Sequence, residues 1–210
     1  MNIRDYAHLS CGGQDWTQAF MQAISDMRAQ GGGVLTVQAG DYPTGSIRLY
    51  DNMTLEVQSG ARLAFLQDDK AYPLIIGEYQ GDVGLVHQSC IYAQDAKNIT
   101  VTGYGTIDGQ GEYWWDKTMA GDLPYPRPPL ICFHRCERVV IENVNLINSP
   151  VWTVHPLRCR NVICRGLNIC NPYHSPNTDG IDPDGCQDVR ISDCTSTWVM
   201  TASPSSPVPS

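Results

Sequence analysis

Carboxylates cluster in a short segment of the chain, after residue 176. The segment reads Asn-Thr-Asp-Gly-Ile-Asp-Pro-Asp and contains Asp179, Asp182 and Asp184. Two neighbouring carboxyl groups can break a glycosidic bond, because one protonates the leaving oxygen while the other activates water or attacks the sugar. Asn, Asp and Gly are also ordinary turn residues, and composition alone favours a turn here.

Aromatic residues form two further candidate contacts for a sugar. The glycine-rich stretch GYGTIDGQGEYWW ends in Tyr113, Trp114 and Trp115, whose rings could stack on sugar rings. An equally good interpretation is that these rings pack the following insertion against the body of the protein. The stretch NSPVWTVHP contains Trp152 and His155 and is predicted to line the same face as the carboxylates. A lone histidine more often makes only a structural hydrogen bond.

The framework that would position these residues is a sequence repeat starting at Cys136, Cys159 and Cys186. The start-to-start spacings are 23 and 27 residues. Apolar residues recur at the third, fifth and eighth positions after each cysteine. The three sets are Val139, Val162 and Val189; Ile141, Cys164 and Ile191; and Val144, Leu167 and Cys194. An earlier segment, AKNITVTGYGTI, has Ile99 and Val101 in the same register.

A repeat of this length with superposed apolar columns is typical of a solenoid. Each unit alternates like a strand and has no room for a helix, and one coil cannot bury its inward face alone. We therefore predict an all-β fold, a parallel β-helix, with residues 1–195 as a single domain. A β-sandwich would also contain short strands, but it would not explain columns at this spacing.

One helix is predicted, over residues 15–30, because its apolar residues share one face at helical spacing. These residues are Ala19, Phe20, Ala23, Ile24 and Met27. The glycines at 31–33 are expected to end this helix. We expect the helix to cap the first coil of the solenoid.

Composition excludes several classes of protein. With 42% apolar and 17% charged residues the chain is globular, and its net charge of -8 argues against wholesale binding to nucleic acid or membranes. The chain opens with no apolar run of signal-peptide length and contains no membrane-spanning run, so we expect a cytoplasmic protein. The nine cysteines are expected to be reduced, and those of the repeat to form a buried ladder rather than a metal site. The sequence carries no signal for an oligomeric state.

The stretches GTIDGQGEYWW, NSPVWTVHP and above all NPYHSPNTDGID resemble, in this order, glycoside hydrolase family 28, the polygalacturonase family. The resemblance covers nearly the whole chain. It implies a right-handed β-helix that hydrolyses α-1,4-linked oligo- or polygalacturonate with inversion, using no metal or organic cofactor. Asp179 matches the family's first catalytic aspartate, which positions and activates water, and Asn177 matches an asparagine near the substrate. The other residues expected to contact substrate are Asp182, His155, Trp152 and Trp115.

The chain departs from the family pattern after Thr195. One coil after Asn-Thr-Asp the family has Gly-Asp-Asp, which supplies the general acid and a second aspartate on the water. Further on it has Gly-His-Gly and Arg-Ile-Lys, whose basic side chains bind the galacturonate carboxylate. This chain contains none of these motifs, and Val-Met-Thr stands at 199–201, where Gly-Asp-Asp is expected.

A shifted reading frame accounts for residues 196–210. Suppose that the ancestral gene continued with Phe-Asp-Val-Gly-Asp-Asp-Cys-Ile-Ala-Ile-Lys-Ser-Gly-Thr. With one more codon, GTC, after that threonine, synonymous codons can be chosen so that deleting one T yields STWVMTASPSSPVPS, which is the observed tail. We therefore predict an aberrant tail at 196–210, a β-helix incomplete at its C-terminal end, poor solubility and little or no activity.

Two other functions fit parts of the sequence. A non-catalytic β-helix that binds sugars or serves as a scaffold fits the missing general acid. A pectate-lyase-like β-helix shares the architecture, but it needs a Ca²⁺ site and a basic proton acceptor, and the sequence has no acidic cluster arranged for calcium. The intact Asn-Thr-Asp and aromatic stretches favour descent from a hydrolase.

Overall fold

The computed structural model describes residues 1–199 and contains three parallel sheets stacked as one β-helix. Within these residues the strands are β1 (Gly33–Val37), β2 (Gly40–Thr44), β3 (Ile47–Arg48), β4 (Met53–Val57), β5 (Ala61–Phe65), β6 (Leu74–Tyr79), β7 (Asp82–His87), β8 (Ile91–Gln94), β9 (Lys97–Thr102), β10 (Thr106–Asp108), β11 (Ile131–His134), β12 (Glu137–Glu142), β13 (Asn145–Ile147), β14 (Val154–Leu157), β15 (Arg160–Arg165), β16 (Asn168–Pro172), β17 (Gln187–Ser192) and β18 (Thr195–Val199). The helices of the same part of the chain are α1 (Thr17–Ala29) and α2 (Glu112–Ala120), with short 3-10 helices at Ile3–Leu9, Cys11–Gly13 and Asp69–Ala71.

Each coil contributes strands to the sheets in turn. The first sheet has the order β1-β4-β9-β12-β15-β17, the second β2-β5-β10-β13-β16-β18, and the third β3-β8-β11-β14. Neighbouring strands in these three sheets are parallel and come from successive coils. This arrangement confirms the predicted parallel β-helix.

The predicted apolar columns coincide with the strand register of the first sheet. Val139 pairs with Val162, and Val162 pairs with Val189 in the next coil. The neighbouring column runs back from Ile141 to Val101, as the earlier repeat predicts. Because side chains alternate across a strand, the columns are buried and form the core, except in β17, where Val189 is half-buried and Ile191 exposed.

The cysteines of the repeat stack on one another between coils. The backbone amide of Cys136 donates to the Cys159 thiol at 3.3 Å, and the amide of Cys159 donates to the Cys186 thiol at 3.2 Å. Cys136 and Cys159 are buried, but Cys186 is only half-buried because it starts the last coil in the described residues. Within residues 1–199 no disulfide joins two cysteines.

Helix α1 covers the first coil as predicted, and the apolar residues of its predicted face are all buried. The chain leaves the helix through Gly31 and Gly32, whose φ angles are 85° and 122°. These conformations suit glycine, and a Cβ on Gly32 would also collide with the backbone of Asn52. None of the helices in the described part of the chain is long and apolar enough to cross a membrane.

The prediction of a single helix is wrong, because α2 forms within the aromatic insertion. This helix has nine residues and buries Trp114 and Trp115. So short a segment shows no repeated apolar face, which is the signal that predicts helices from sequence. Gly121 ends it in the left-handed conformation, with φ of 74°.

Three irregular segments leave the β-helix at the same corner, between the second and third sheets. The antiparallel hairpin β6–β7 leaves the second coil, the segment with α2 leaves the third, and the loop 173–178 leaves the fifth. Because the coils stack in register, these segments gather beside the third sheet. The hairpin borders the groove that contains the predicted carboxylates.

Candidate active site

The carboxylate segment takes the third-sheet position of the fifth coil, next to β14. The amide of Thr153 donates to the Asp179 carbonyl at 2.8 Å, and the amide of Asp182 donates to the Val154 carbonyl at 2.8 Å. These bonds continue the parallel ladder, so Asp179 and Asp182 are held by the sheet. The turn that composition favours is confined to residues 173–177, just before Asp179.

An open groove runs along this segment and the hairpin β6–β7. The charged and aromatic side chains that line it are Glu78, Trp152, His155, Asp179, Asp182 and Asp184. Asp179 and Asp184 are exposed, whereas Asp182 is half-buried. The four carboxyl groups therefore face a solvent-accessible cleft of the size and shape that an extended ligand needs.

Three rings stack along one side of the groove. Tyr79 of the hairpin stacks on Trp152 with ring centroids 4.8 Å apart, and Trp152 lies 4.6 Å from the His155 ring. His155 Nδ1 is 3.0 Å from the Asp182 carbonyl oxygen. Because a carbonyl only accepts, Nδ1 carries the hydrogen, and in the neutral imidazole Nε2 is left as an acceptor.

Burial and a neighbouring negative charge raise the pKa of Asp182. Burial is the main cause, and the neighbouring Asp179 carboxylate adds to it because it disfavours a second negative charge. Glu78 is neutralised by Arg158 at 2.7 Å and is only 12% exposed. Within residues 1–199 the groove lining contains no lysine or arginine, and the ion pairs include neither Asp179, Asp182 nor Asp184.

The buried side-chain amide of Asn171 is hydrogen-bonded to both segments that carry groove residues. Asn171 is 1% exposed and accepts from the Ser149 amide at 2.9 Å. Its two N–H groups donate to Thr153 Oγ1 at 3.0 Å and to the Thr178 carbonyl at 3.1 Å. These satisfied bonds hold the residue before Asp179 against the fourth coil.

A buried arginine ties the loop before Asp179 to the rest of the site. Arg127 is 4% exposed and donates to the carbonyls of Pro150 and Pro176 at 2.9 and 3.0 Å. It also donates to Asn177 Oδ1 at 3.1 Å. Burial lowers the pKa of Arg127. Asn177 has φ of 56°, a left-handed conformation that asparagine tolerates, and the arginine holds its side chain in place.

The profile of "Glycosyl hydrolases family 28" matches residues 36–199. The chain belongs to glycosyl hydrolase family 28.

A probable polygalacturonase of Vitis vinifera is 39% identical over 187 residues, which cover 85% of this chain and 38% of that protein. A hyperthermoactive exopolygalacturonase from Thermotoga maritima superposes with a TM-score of 0.82 at 30% identity, over 92% of this chain and 51% of that chain. The Yersinia enterocolitica family 28 exopolygalacturonase shares the fold, with a TM-score of 0.81 at 22% identity, over 92% of this chain and 42% of that chain. The chain thus spans about half or less of these relatives.

The family 28 resemblance predicted six site residues, and four of them line one groove. Asp179, Asp182, Trp152 and His155 meet there although they come from two different coils. Asn177 lies beside the groove and is bonded to Arg127 behind it. Asn177 therefore supports the loop, and its direct contact with substrate stays a prediction.

Trp115 is the exception, and the expectation that it stacks on a sugar is corrected. Its side chain is 3% exposed, and its indole N–H donates to the Ser149 carbonyl at 3.0 Å. Trp114 is fully buried against Tyr72 and His87. The alternative interpretation therefore holds, because both indoles pack the insertion against the β-helix of this family 28 chain.

Sequence reasoning missed Arg127 and Asn171. Arg127 stands in PYPRPPL, and an arginine between prolines is only a weak indication that the side chain is buried and hydrogen-bonded. No sequence signal indicates Asn171, because its partners lie in two other segments, at Ser149 and Thr153 and at Thr178, which only the folded coils bring to it. The hairpin residues Glu78 and Tyr79 were equally invisible, since the hairpin is outside the repeat.

Proposed function

We propose that this chain belongs to a polygalacturonase-like enzyme that hydrolyses α-1,4-galacturonosidic bonds in oligo- or polygalacturonate with inversion. The observation that carries this proposal is the exposed Asp179 carboxylate in an open groove, next to Asp182 and the stacked rings of Trp152 and His155. The family 28 relatives named above are polygalacturonases, which supports the substrate class.

Each groove residue has a role that its geometry allows. The Asp179 carboxylate takes the proton of a water molecule that attacks the anomeric carbon. The exposed part of the half-buried Trp152 indole, whose ring already contacts Tyr79 and His155, is available to a sugar ring. His155 Nε2 accepts a hydrogen bond from a sugar hydroxyl. Asp182, which keeps its proton to a higher pH than an ordinary aspartate, binds a second hydroxyl.

The reaction needs a second carboxyl group that protonates the leaving oxygen, about 6.5 to 9.5 Å from the base. The family resemblance assigns this role to Gly-Asp-Asp, which the 210 residues do not contain. We propose that residues 196–210 are translated in a shifted frame and that the chain as it stands does not hydrolyse polygalacturonate. Residues 200–210 lie outside the described part of the chain.

The strand register supports the shifted frame. An apolar column of the second sheet runs through Leu63, Ile107, Leu146 and Ile169, all buried. The next member is Ser196, which pairs with Ile169 at the first residue after the predicted shift. The ancestral phenylalanine would continue the column, whereas serine interrupts it.

The test compares two proteins encoded by the same gene. The nucleotide sequence from codon 190 onward is determined, and one base is restored near codon 196 to reopen Gly-Asp-Asp. We expect the restored protein to release reducing ends from polygalacturonate and the 210-residue chain to release none. If restoration does not reopen Gly-Asp-Asp, the proposed frameshift is wrong. If the 210-residue chain hydrolyses the polymer, its proposed inactivity is wrong.

A non-catalytic sugar-binding protein is the second candidate, because the chain lacks the general acid. Such a protein would bind trigalacturonate in the groove without cleaving it even when Gly-Asp-Asp is restored. Quenching of the Trp152 fluorescence by trigalacturonate, with Trp152→Phe as the control, reports groove binding. Binding without hydrolysis by the restored protein would favour this candidate over the hydrolase.

A further inference from the structure

A second concave site lies on the third sheet, at the end far from Asp179. It is lined by Arg28 of α1, Arg48 of β3, Tyr50 just after β3, and Gln88. Strand β3 is one end of the third sheet, and the Asp179 segment pairs with β14 at the other end. We infer that this arginine pocket (Arg28, Arg48, Tyr50 and Gln88) binds the carboxylate of an acidic sugar.

The positive charges of the arginine pocket are unpaired. The ion pairs formed within residues 1–199 include neither Arg28 nor Arg48, and the pocket lining contains no aspartate or glutamate. Arg48 Nε is buried and has no hydrogen-bond acceptor in this part of the chain. A ligand in the pocket would be bound by the exposed Arg28 and by the other N–H groups of the half-buried Arg48, because the buried Nε is out of its reach.

Aromatic rings hold the two guanidinium groups. Arg28 lies 4.2 Å from the centroid of the Tyr50 ring, and Arg48 lies 5.4 Å from Tyr50 and 5.6 Å from Tyr92. A guanidinium held by a cation–π contact keeps those of its N–H groups that point away from the ring available. A carboxylate accepts two parallel hydrogen bonds from such a group, which makes it a well-matched ligand.

The rest of the pocket wall favours a sugar acid over a small inorganic anion. Phe20 and Ile24 of α1 are buried there, and Pro73 and Ile75 form the side towards the hairpin. Pro73 and Ile75 are accessible, so their side chains can cover the C–H surface of a sugar ring while the arginines hold its carboxylate. An inorganic phosphate would use the charges but leave the apolar wall without a partner.

The pocket faces the same side of the sheet as the candidate active site. Arg48 pairs with Tyr92, Tyr92 with Cys132, and Cys132 with His155, so the four residues form one row across the third sheet. Three strand spacings separate Arg48 from His155, about 14 Å. The choice of galacturonate as the acid rests on the proposed function. The groove itself is lined by acids, so the arginine pocket is the cationic part of this face.

The test is the affinity of the 210-residue chain for trigalacturonate, measured by isothermal titration calorimetry at low salt. Arg28→Gln/Arg48→Gln should weaken binding by about tenfold or more, since charged hydrogen bonds are lost. The matched control is Arg160→Gln/Arg190→Gln, which removes the same two charges from exposed positions of the first sheet. It should change the affinity by less than about twofold. Unchanged affinity in the pocket variant, or an equal loss in the control, would overturn the inference.

Further measurements test whether the variant is folded and which class of ligand binds. Arg28→Gln alone changes an exposed helix residue, so its fold should persist by circular dichroism, and it should show part of the loss. Neutral galactotriose should not bind. Inorganic phosphate should bind more weakly than trigalacturonate. Phosphate binding of equal strength that depends on both arginines would overturn the assignment to a sugar acid.

The inference and the proposed function fail in different experiments. Asp179→Asn and Trp152→Phe alter the groove and should leave trigalacturonate affinity at the arginine pocket unchanged. Absent hydrolysis by the frame-restored protein would contradict the proposed function alone. An affinity that is unchanged in Arg28→Gln/Arg48→Gln, while the Trp152 fluorescence still responds to trigalacturonate, would contradict the arginine pocket alone.

Discussion

Arg127 donates a hydrogen bond to Asn177 Oδ1 at 3.1 Å, across a separation of 50 residues in the chain. The same guanidinium holds the carbonyls of Pro150 and Pro176. It therefore joins the insertion of the third coil to both segments that carry the groove residues. This arginine is the main link between the irregular segments and the Asn-Thr-Asp motif.

Replacement of Arg127 should destabilise the protein. Arg127→Met leaves two buried carbonyls and the Asn177 amide oxygen without their donor, so we expect a loss of about 2 to 4 kcal/mol in the free energy of unfolding. Urea denaturation followed by circular dichroism measures this. The control is Arg190→Gln on the exposed surface, which should change stability by less than about 0.5 kcal/mol. Similar midpoints for the two variants would contradict the linking role.

Asp182 should make stability depend on pH in a defined direction. Its pKa is raised in the folded state by burial and by Asp179, so the folded protein holds this proton more tightly than the unfolded chain. The stabilisation by this group is therefore fully present below the pKa of the unfolded state, about 3.9. It is lost as the pH rises through the pKa of the folded state.

Asp182→Asn removes this dependence. We expect the variant to gain stability relative to the unmodified protein at pH 7, and the gain to shrink as the pH is lowered towards 4. Urea midpoints across this range measure it. Asp193→Asn, at an exposed turn outside the groove, is the control. A gain that does not change with pH would contradict the assignment of the effect to this carboxyl group.

Replacement of Trp115 should lower stability, whereas replacement of Trp152 should mainly affect ligand binding. Trp115 is 3% exposed, so Trp115→Ala should cost about 3 to 5 kcal/mol of stability. Trp152 is half-buried at the groove, and its replacement by alanine should cost less stability while abolishing the fluorescence response to trigalacturonate. Denaturation and ligand titration on both variants measure this contrast. Equal losses of stability would show that Trp152 is also a core residue.

Ser196→Phe should restore the apolar column of the second sheet. Ser196 is exposed in the last coil of the described residues, next to the end of the buried column, since a Cβ placed on Gly180 would lie 3.1 Å from Ser196 Oγ and 3.6 Å from Ile169 Cδ1. Phenylalanine there would pack on the end of this column and bury part of its own ring, for an expected gain of about 1 kcal/mol. The control is Ser192→Phe at an exposed position of β17, which should bring no gain. A loss of stability in Ser196→Phe would count against the ancestral phenylalanine.

The β-helix itself could be predicted because its coils repeat. The columns of Val139, Val162 and Val189 lie in the sequence at nearly regular spacing, and burial of one face per strand is local information. Asp179 could be found because its motif is short and continuous. The hairpin, α2 and the partners of Arg127 could not be predicted, because they arise in insertions with no periodicity. Their contacts depend on which coils the insertions leave.

The most direct test of the account is the hydrolysis of trigalacturonate by the frame-restored protein with and without Asp179→Asn, followed by ¹H NMR of the anomeric protons. We expect the first product to appear as the β-anomer, which indicates inversion, and Asp179→Asn to lower kcat by a factor of about 10³ or more. Retention of the α-anomer, or a kcat that survives the loss of the Asp179 carboxylate, would contradict its role as the base on water.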